Sequence, residues 1–334
     1  MKFGVHLPNC CEVLVYPPGF ASHDSMVKIA EEAESLGYDS IWANDHMTTQ
    51  RYVKELSPTM PNYFEPLVTL SLLAEATRHI RLGTSMVVLP MRNPVVLAKQ
   101  AATLDVLSGG RLILGLGLGA YPEEFEALNP GVPAAARSKI MDESVHAVHR
   151  LLTQHKVSFE GKYVKFKDVE MYPKPLQKPF PIWIGGNSTH GIRRTAEIGT
   201  GWSPAMLLPE EIRNGVEQLA VYAEKESRKE DRFEVAPQYM AIVDKTKAAA
   251  LKRFEGSLAY KHLVSLQRTT LKHQTVESFI ERNLIGTASE VVEKLNQLEK
   301  AGVTYMPAIV FPAKDLNELT AAMRLFGEEI MPSF

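Results

Sequence analysis

The sequence predicts an α/β fold, a single (β/α)8 TIM barrel over 1–334, on three observations. Short apolar runs alternate with amphipathic helical patterns along almost the whole chain. The stretch Ile80–Phe125 holds a complete βαβ unit, whose right-handed crossover implies a parallel sheet covered by helices. No linker-like composition interrupts the 334 residues, a length that suits a barrel with insertions. A doubly wound open sheet shares the βα signal, but eight units without a break favour closure.

The elements follow in order. Lys2–Leu7 reads as the first strand, and Asp24 caps the helix MVKIAEEAESLG, which closes at Gly37. Asp39–Ala43 is the second strand. Glu65-Pro66 opens a helix to Thr77, and Ile80–Leu89 is the third strand. Asn93-Pro94 starts the next helix, with proline where a missing N–H costs nothing, and Gly109-Gly110 stops it before the fourth strand, Arg111–Leu116. A long helix over Ala136–Thr153 precedes a small inserted β-hairpin, Val157–Tyr172, whose residues alternate around Glu160-Gly161. The fifth strand, Pro181–Ile184, runs through Gly185-Gly186-Asn187-Ser188 into a helix. Trp202–Met206 is the sixth strand, Glu210–Lys225 a helix and Val235–Val243 the seventh strand. A charged helical excursion over Asp244–Glu281 then separates strands seven and eight. Helices Ser289–Lys300 and Leu316–Ile330 flank the eighth strand, Tyr305–Phe311.

Composition narrows the function classes. A net charge of -2 gives no electrostatic reason to expect nucleic acid or an anionic membrane as a partner. The adjacent Cys10 and Cys11 suit a reduced pair in a reducing compartment. No run approaches the roughly 18 apolar residues of a membrane span, and the amino terminus lacks a secretory apolar stretch. A soluble cytoplasmic enzyme is expected.

A barrel of this kind carries its site at the carboxyl ends of its strands. That rule nominates His6, Asn9, Asp45, His46, Thr84, Ser85, the loop Gly117–Tyr121 and the turn Gly186–Thr189. His46 directly follows the second strand, where an imidazole can trade a proton near neutral pH; a histidine hydrogen-bonded within its loop is the alternative. Asp45 could fix its tautomer, bind substrate, or stay solvated. Gly115, Gly117, Gly119 and Ala120 match the dinucleotide pattern, but the polar, turn-like YPEEFEALNPG follows instead of an apolar helix. Close approach of a planar ligand explains these glycines better. Gly185, Gly186, Asn187 and Ser188 lead into a helix whose free N–H groups suit a phosphate, with Arg193 and Arg194 one turn on; an ordinary cap is the alternative. Met86, Met91, Tyr52, Phe64 and Tyr121 suggest an apolar, aromatic rim, and the long loop Thr48–Asn62 suggests a lid. No metal-ligand spacing and no nucleophile elbow stand out, which points to an organic cofactor that brings its own reactivity.

Five segments, KFGVHLPN, AEEAESLGYDSIWANDH, the run from Arg81 to Asn129, PIWIGGNS and IGTASEVVEKLNQLEKAGV, occur in the order seen in the bacterial-luciferase-like superfamily of flavin-dependent oxidoreductases. The chain resembles that family over nearly its whole length, as one luciferase-like TIM-barrel domain. The resemblance implies a pocket for reduced FMN or coenzyme F420. The ring would lie near Thr84, Ser85 and Met86, the phosphate at Gly185–Ser188, and His46 would give or take a proton. Pocket contacts from His6, Gly117, Gly119 and Tyr121 are implied with it, as is a cis Ser85–Met86 peptide. The Asp45-His46 pair and the compact length resemble the deazaflavin branch, which puts F420-dependent hydride transfer with a small organic substrate first. An FMN-dependent monooxygenase using O2 is the alternative, and a non-catalytic flavin binder the third reading. A separate flavin or F420 reductase and a homodimer or higher homo-oligomer are the implied partners. Sugar-phosphate dehydrogenases of the deazaflavin branch carry a Glu where this chain has Ala120, which sets their substrate apart.

Overall fold

The computed structural model describes residues 1–267 and 275–334. Its first strands are β1 (Lys2–His6), β2 (Ser40–Ala43), β3 (Arg81–Thr84), β4 (Val87–Val88) and β5 (Leu112–Gly117). A hairpin, β6 (Lys156–Glu160) and β7 (Lys165–Glu170), comes next, antiparallel as expected. Then follow β8 (Ile182–Gly185), β9 (Gly201–Ser203), β10 (Glu234–Val235), β11 (Ala241–Val243), β12 (Leu284–Gly286) and β13 (Tyr305–Ile309). The wall runs β10-β9-β8-β5-β3-β2-β1-β13, all parallel, with β4 continuing the line of β3 beside β5. Thr304 N–H donates to the Val235 carbonyl at 3.0 Å, so the last gap is nearly closed. The result is a nearly closed eight-stranded parallel barrel wrapped by helices.

Most helix boundaries follow their local signals. Glu65 and Asn93 cap helices Pro66–Ala76 and Pro94–Leu107 with proline at the first turn, and Gly109 and Gly110 take positive φ values of 71° and 82°. The first cap is Ser22, not Asp24. Its hydroxyl accepts from Ser25 N–H while the Ser25 side chain returns the bond, and Asp24 lies inside the first turn of helix His23–Ser35.

Two further expectations change. YPEEFEALNPG is not a turn: Pro122–Leu128 is a short helix, with proline again at its start. The seventh strand is not continuous from Val235 to Val243. Pro237 has no N–H to give a ladder, so the strand breaks there into β10 and single parallel bridges from Gln238 to Ala205 and from Met240 to Val310, which keep the chain in the barrel wall. Beyond it, β11 pairs with β12, a strand the sequence reading missed, and buried Asn283 accepts Met240 N–H at 2.8 Å to start that pairing. Of the helical stretch expected over 244–281, helices Lys247–Glu255, Leu258–Gln267 and Val276–Arg282 are present, and 268–274 lie outside the described residues.

The barrel lumen is filled. Trp42 and Trp183 stack with centroids 5.1 Å apart, and Tyr305 packs edge-on against Trp183, also at 5.1 Å. Glycines make this possible. A Cβ on Gly83 would strike the Trp42 ring, and one on Gly201 would lie 2.7 Å from Trp183 Cδ1.

Candidate active site

The site lies where β3 breaks and resumes as β4. The Ser85–Met86 peptide is cis, as the resemblance implied. Thr84, expected against the ring, is fully buried, and its hydroxyl is taken up by Gly115: it donates to the carbonyl and accepts from the N–H, both at 2.8 Å. Met86 then folds over the glycine-thinned ends of β5 and β8. A Cβ on Gly115 would meet the Thr84 carbonyl oxygen first and then Met86 Sδ at 2.6 Å, one on Gly117 would lie 2.9 Å from Met86 Cβ, and one on Gly119 2.6 Å from Val88 Cγ1. The glycines read as room for a planar ligand are thus met by other parts of the chain. Gly185, from the turn read as a phosphate cradle, likewise stands against Met86, whose Cγ would be 2.8 Å from its Cβ.

Above Met86 opens a cavity of about 390 Å³, lined by Asp45, His46, Met86, Gly117, Gly119, Tyr121, Gly185, Gly186 and Asn187 among the expected residues. Asn44, Ser203 and Gln238 also line it, and the sequence reading had not singled them out. Each follows an inward-facing strand position by the two-residue period, which is the signal that could have found them.

His46 is gripped from one side. Its Nδ1 lies 2.9 Å from Glu124 Oε2 and 2.7 Å from Gln50 Nε2, and the rings of Tyr63 and Tyr121 flank it at 5.5 and 5.7 Å. Glu124 Oε1 also accepts Met47 and Thr48 N–H, each at 3.2 Å. Burial pushes the Glu124 carboxyl up, but the hydrogen bond and charge of His46, with Gln50 and the Thr48 N–H, outweigh it and hold the group below the usual carboxylate range. Asp45, expected to orient the imidazole or meet substrate, is held elsewhere. Its buried carboxylate takes Arg92 Nη2 at 2.8 Å, Arg92 Nε at 3.2 Å and Val88 N–H at 2.8 Å. Asn9 is a staple, donating to the Asn44 and Phe64 carbonyls at 2.8 Å each.

Unpartnered buried polar atoms occur at several places, Tyr16, Ser144 and His262 among them, and two stand at this end of the barrel. His6 Nδ1 and Ser85 Oγ are buried and have no hydrogen-bond partner among the described residues. Burial, opposed by the Leu7 backbone and helped slightly by the nearby His46, lowers the His6 imidazole to about 4. Neither side chain lines the cavity itself; both stand at strand ends beside residues that do.

At the far wall, Gly186 takes φ +129° with open space where a side chain would go. Asn187 binds the Ala205 backbone in both directions, at 2.9 and 2.8 Å. Ser188 precedes helix Thr189–Ile198, yet its hydroxyl makes no capping bond. The expected help from the neighbouring arginines is absent: Asp142 takes Arg194 Nε at 2.7 Å and Arg193 Nη2 at 3.2 Å, and Arg194 is buried. Tyr52, from helix Arg51–Leu56 inside the long loop, meets the Tyr121 hydroxyl at 2.8 Å.

Comparison with known proteins bears on this geometry. Residues 1–305 match the profile of the family described as luciferase-like monooxygenase. The chain is 25% identical to the oxygenase component of a flavin-dependent trigonelline monooxygenase of Acinetobacter baylyi, over 93% of this chain and 90% of that one. It is 30% identical to an F420-dependent glucose-6-phosphate dehydrogenase of Amycolatopsis mediterranei, over 72% of this chain and 73% of that one. An F420-dependent secondary alcohol dehydrogenase superposes with a TM-score of 0.80 over 99% of this chain and 98% of that one, at 19% identity, a likeness of fold. These relatives are oxidoreductases of both ring types, flavin and deazaflavin. The chain belongs to the luciferase-like monooxygenase family.

Proposed function

We propose that this protein is an oxidoreductase that holds a reduced flavin-type ring, that of coenzyme F420 or of FMN, over Met86 and acts on a small organic substrate beside His46. The observation that carries the reading is the cavity over Met86, which brings His46, Tyr121 and the turn Gly185–Asn187 to one space. A concave site with an apolar floor and a few convergent polar groups is the usual form of a cofactor pocket. The open backbone at Gly186 and the uncapped amides after Ser188 fit the phosphate such cofactors carry.

When bound, the ring supplies the electrons of the reaction. The chain's own residues do the rest. Met86 forms the floor, Tyr121 and Tyr63 shield the imidazole from water, and His46 gives or takes a proton at Nε2, the nitrogen for which no protein partner is found among the described residues.

The match over 93% of the chain to an oxygenase component supports the FMN reading, in which a separate flavin reductase would supply the reduced ring. The F420 reading draws on the dehydrogenase relatives, though Ala120 argues against their sugar phosphate as substrate. Anaerobic fluorescence titration with reduced FMN and, separately, F420 tests both. Saturation by one selects the branch, and saturation by neither overturns the proposal.

A further inference from the structure

We infer that Glu124 is the positioning residue of His46, holding the imidazole in its Nδ1–H tautomer and turning the Nε2 lone pair into the cavity. The catalytic consequence rests on the function proposed above; the tautomer does not.

The argument is one of donors and acceptors. Two groups of opposite kind approach His46 Nδ1: the Glu124 carboxylate, which only accepts, and the Gln50 amide nitrogen, which only donates. The Tyr63 hydroxyl, 3.1 Å from the other end of the amide, both donates and accepts, so Gln50 can turn over and offer its oxygen to Nδ1 instead. One nitrogen cannot serve both neighbours. The carboxylate prevails because a charge-assisted bond is roughly twice as strong as a neutral one, and because turning the Gln50 amide over replaces a second donor at Nδ1 with an acceptor. Nδ1 therefore carries the hydrogen. Nε2 is left as an acceptor, and a proton taken up there from the reacting group returns to it without Glu124 changing its charge.

The surroundings of the ring leave Glu124 without a rival. Burial pushes the Tyr63 and Tyr121 hydroxyls and the Cys10 thiol up, and the His6 imidazole down, so all four stay neutral near pH 7. Asp45, next in the chain, is neutralised by Arg92. Glu123 faces away, accepting Arg51 N–H at 3.3 Å. The sequence separation between Glu124 and His46 is 78 residues, and helix Pro122–Leu128 places the carboxylate by presenting its first turn to the loop after β2.

Side-chain nitrogen NMR of ¹⁵N-histidine-labelled protein tests this, with the His46 signals assigned by their loss in His46→Asn. The wild-type protein is expected to show the Nδ1–H tautomer, and Glu124→Gln a shift toward Nε2–H. With the preferred ring bound, Glu124→Gln should lower kcat at least tenfold with KM and cofactor Kd within twofold. A wild-type Nε2–H tautomer overturns the inference without need of any variant, and so does a spectrum unmoved in Glu124→Gln. If neither ring binds the wild type while the Nδ1–H signature is present, the proposed function falls and the positioning of His46 stands.

Discussion

The lumen of this barrel and its mouth are lined by glycines for the same reason, yet the lumen is filled and the mouth opens onto a cavity. Gly83 and Gly201 are bare because Trp42 and Trp183 fill the space; Gly117 and Gly185 are bare because Met86 does, and Gly115 because the Thr84 carbonyl and Met86 do. In both places the missing side chain makes room for another part of the chain. The polar atoms differ between the two regions as well. In the lumen, Trp42 Nε1 donates to Ser40 Oγ at 2.7 Å, and the Tyr305 hydroxyl reaches the same oxygen at 2.8 Å. At the mouth, His6 Nδ1 and Ser85 Oγ face inward unanswered. A thinned strand therefore marks tight packing, and what sets the mouth apart is the cavity that opens over Met86.

Breaking the lumen should abolish the fold. Gly83→Val drives two methyl groups into the buried Trp42 ring, which is stacked on Trp183 and has nowhere to move. The expected cost is about 3 kcal/mol or more, seen as loss of the cooperative urea transition or of soluble protein. A variant that unfolds at the parent midpoint would show the lumen to be loosely filled and remove one half of the contrast.

Breaking the mouth should spare the fold and remove activity. His46→Ala leaves Glu124 its bonds from Met47 and Thr48 N–H, so stability should change by about 1 kcal/mol or less. Turnover should fall by roughly 10²–10⁴, the usual worth of a positioned acid or base, with cofactor affinity retained. Turnover at the parent rate would return His46 to a structural role.

Acid should sharpen the distinction. The unfolded His6 imidazole takes its proton near 6.5, the folded one near 4. As pH falls from 6.5 toward 4, the unfolded chain gains a proton that the folded chain refuses, so stability declines through that window and levels below it. The difference amounts to about 3 kcal/mol. Burial lowers His262 to about 4 as well, so the quantity to follow is the stability of wild type minus that of His6→Gln. A difference that stays flat from pH 7 to pH 4 would mean that His6 is solvated or already partnered.

What the sequence disclosed and what it hid divide along the range of the interactions. Elements set by neighbours were legible: Glu65-Pro66, Asn93-Pro94 and Gly109-Gly110 bound their helices, and the hairpin alternates around its turn. The position of His46 at a strand end was legible from topology alone. Its partner was not. Glu124 sits in a polar run that reads as a turn, and Asp45, adjacent in sequence, looks the better orienter until Arg92 is brought against it by the break between β3 and β4. The division of the seventh strand had a local sign, Pro237, but its second half is held by Asn283, which only the folded chain brings near.

The smallest effect tests the comparison most directly. Ser22 and Ser188 both stand at helix N-caps, with extended backbone at each. Ser22 closes its helix with a reciprocal pair of bonds to Ser25, whereas the Ser188 hydroxyl makes no capping bond and Gly191 N–H turns to the Ser188 carbonyl at 2.9 Å instead. Ser22→Ala should therefore cost about 1 kcal/mol in urea unfolding, the ordinary worth of a cap. Ser188→Ala should cost no more than a few tenths, because no capping bond is lost. The missing hydroxyl should instead appear in binding, as a roughly tenfold weaker Kd for the phosphate-bearing ring, about 1.4 kcal/mol. Equal destabilisation by the two substitutions, with cofactor affinity untouched, would show that Ser188 caps its own helix in solution. The mouth would then keep only His6 and Ser85 as unanswered groups, and the case for a phosphate at Gly186 would rest on open space alone.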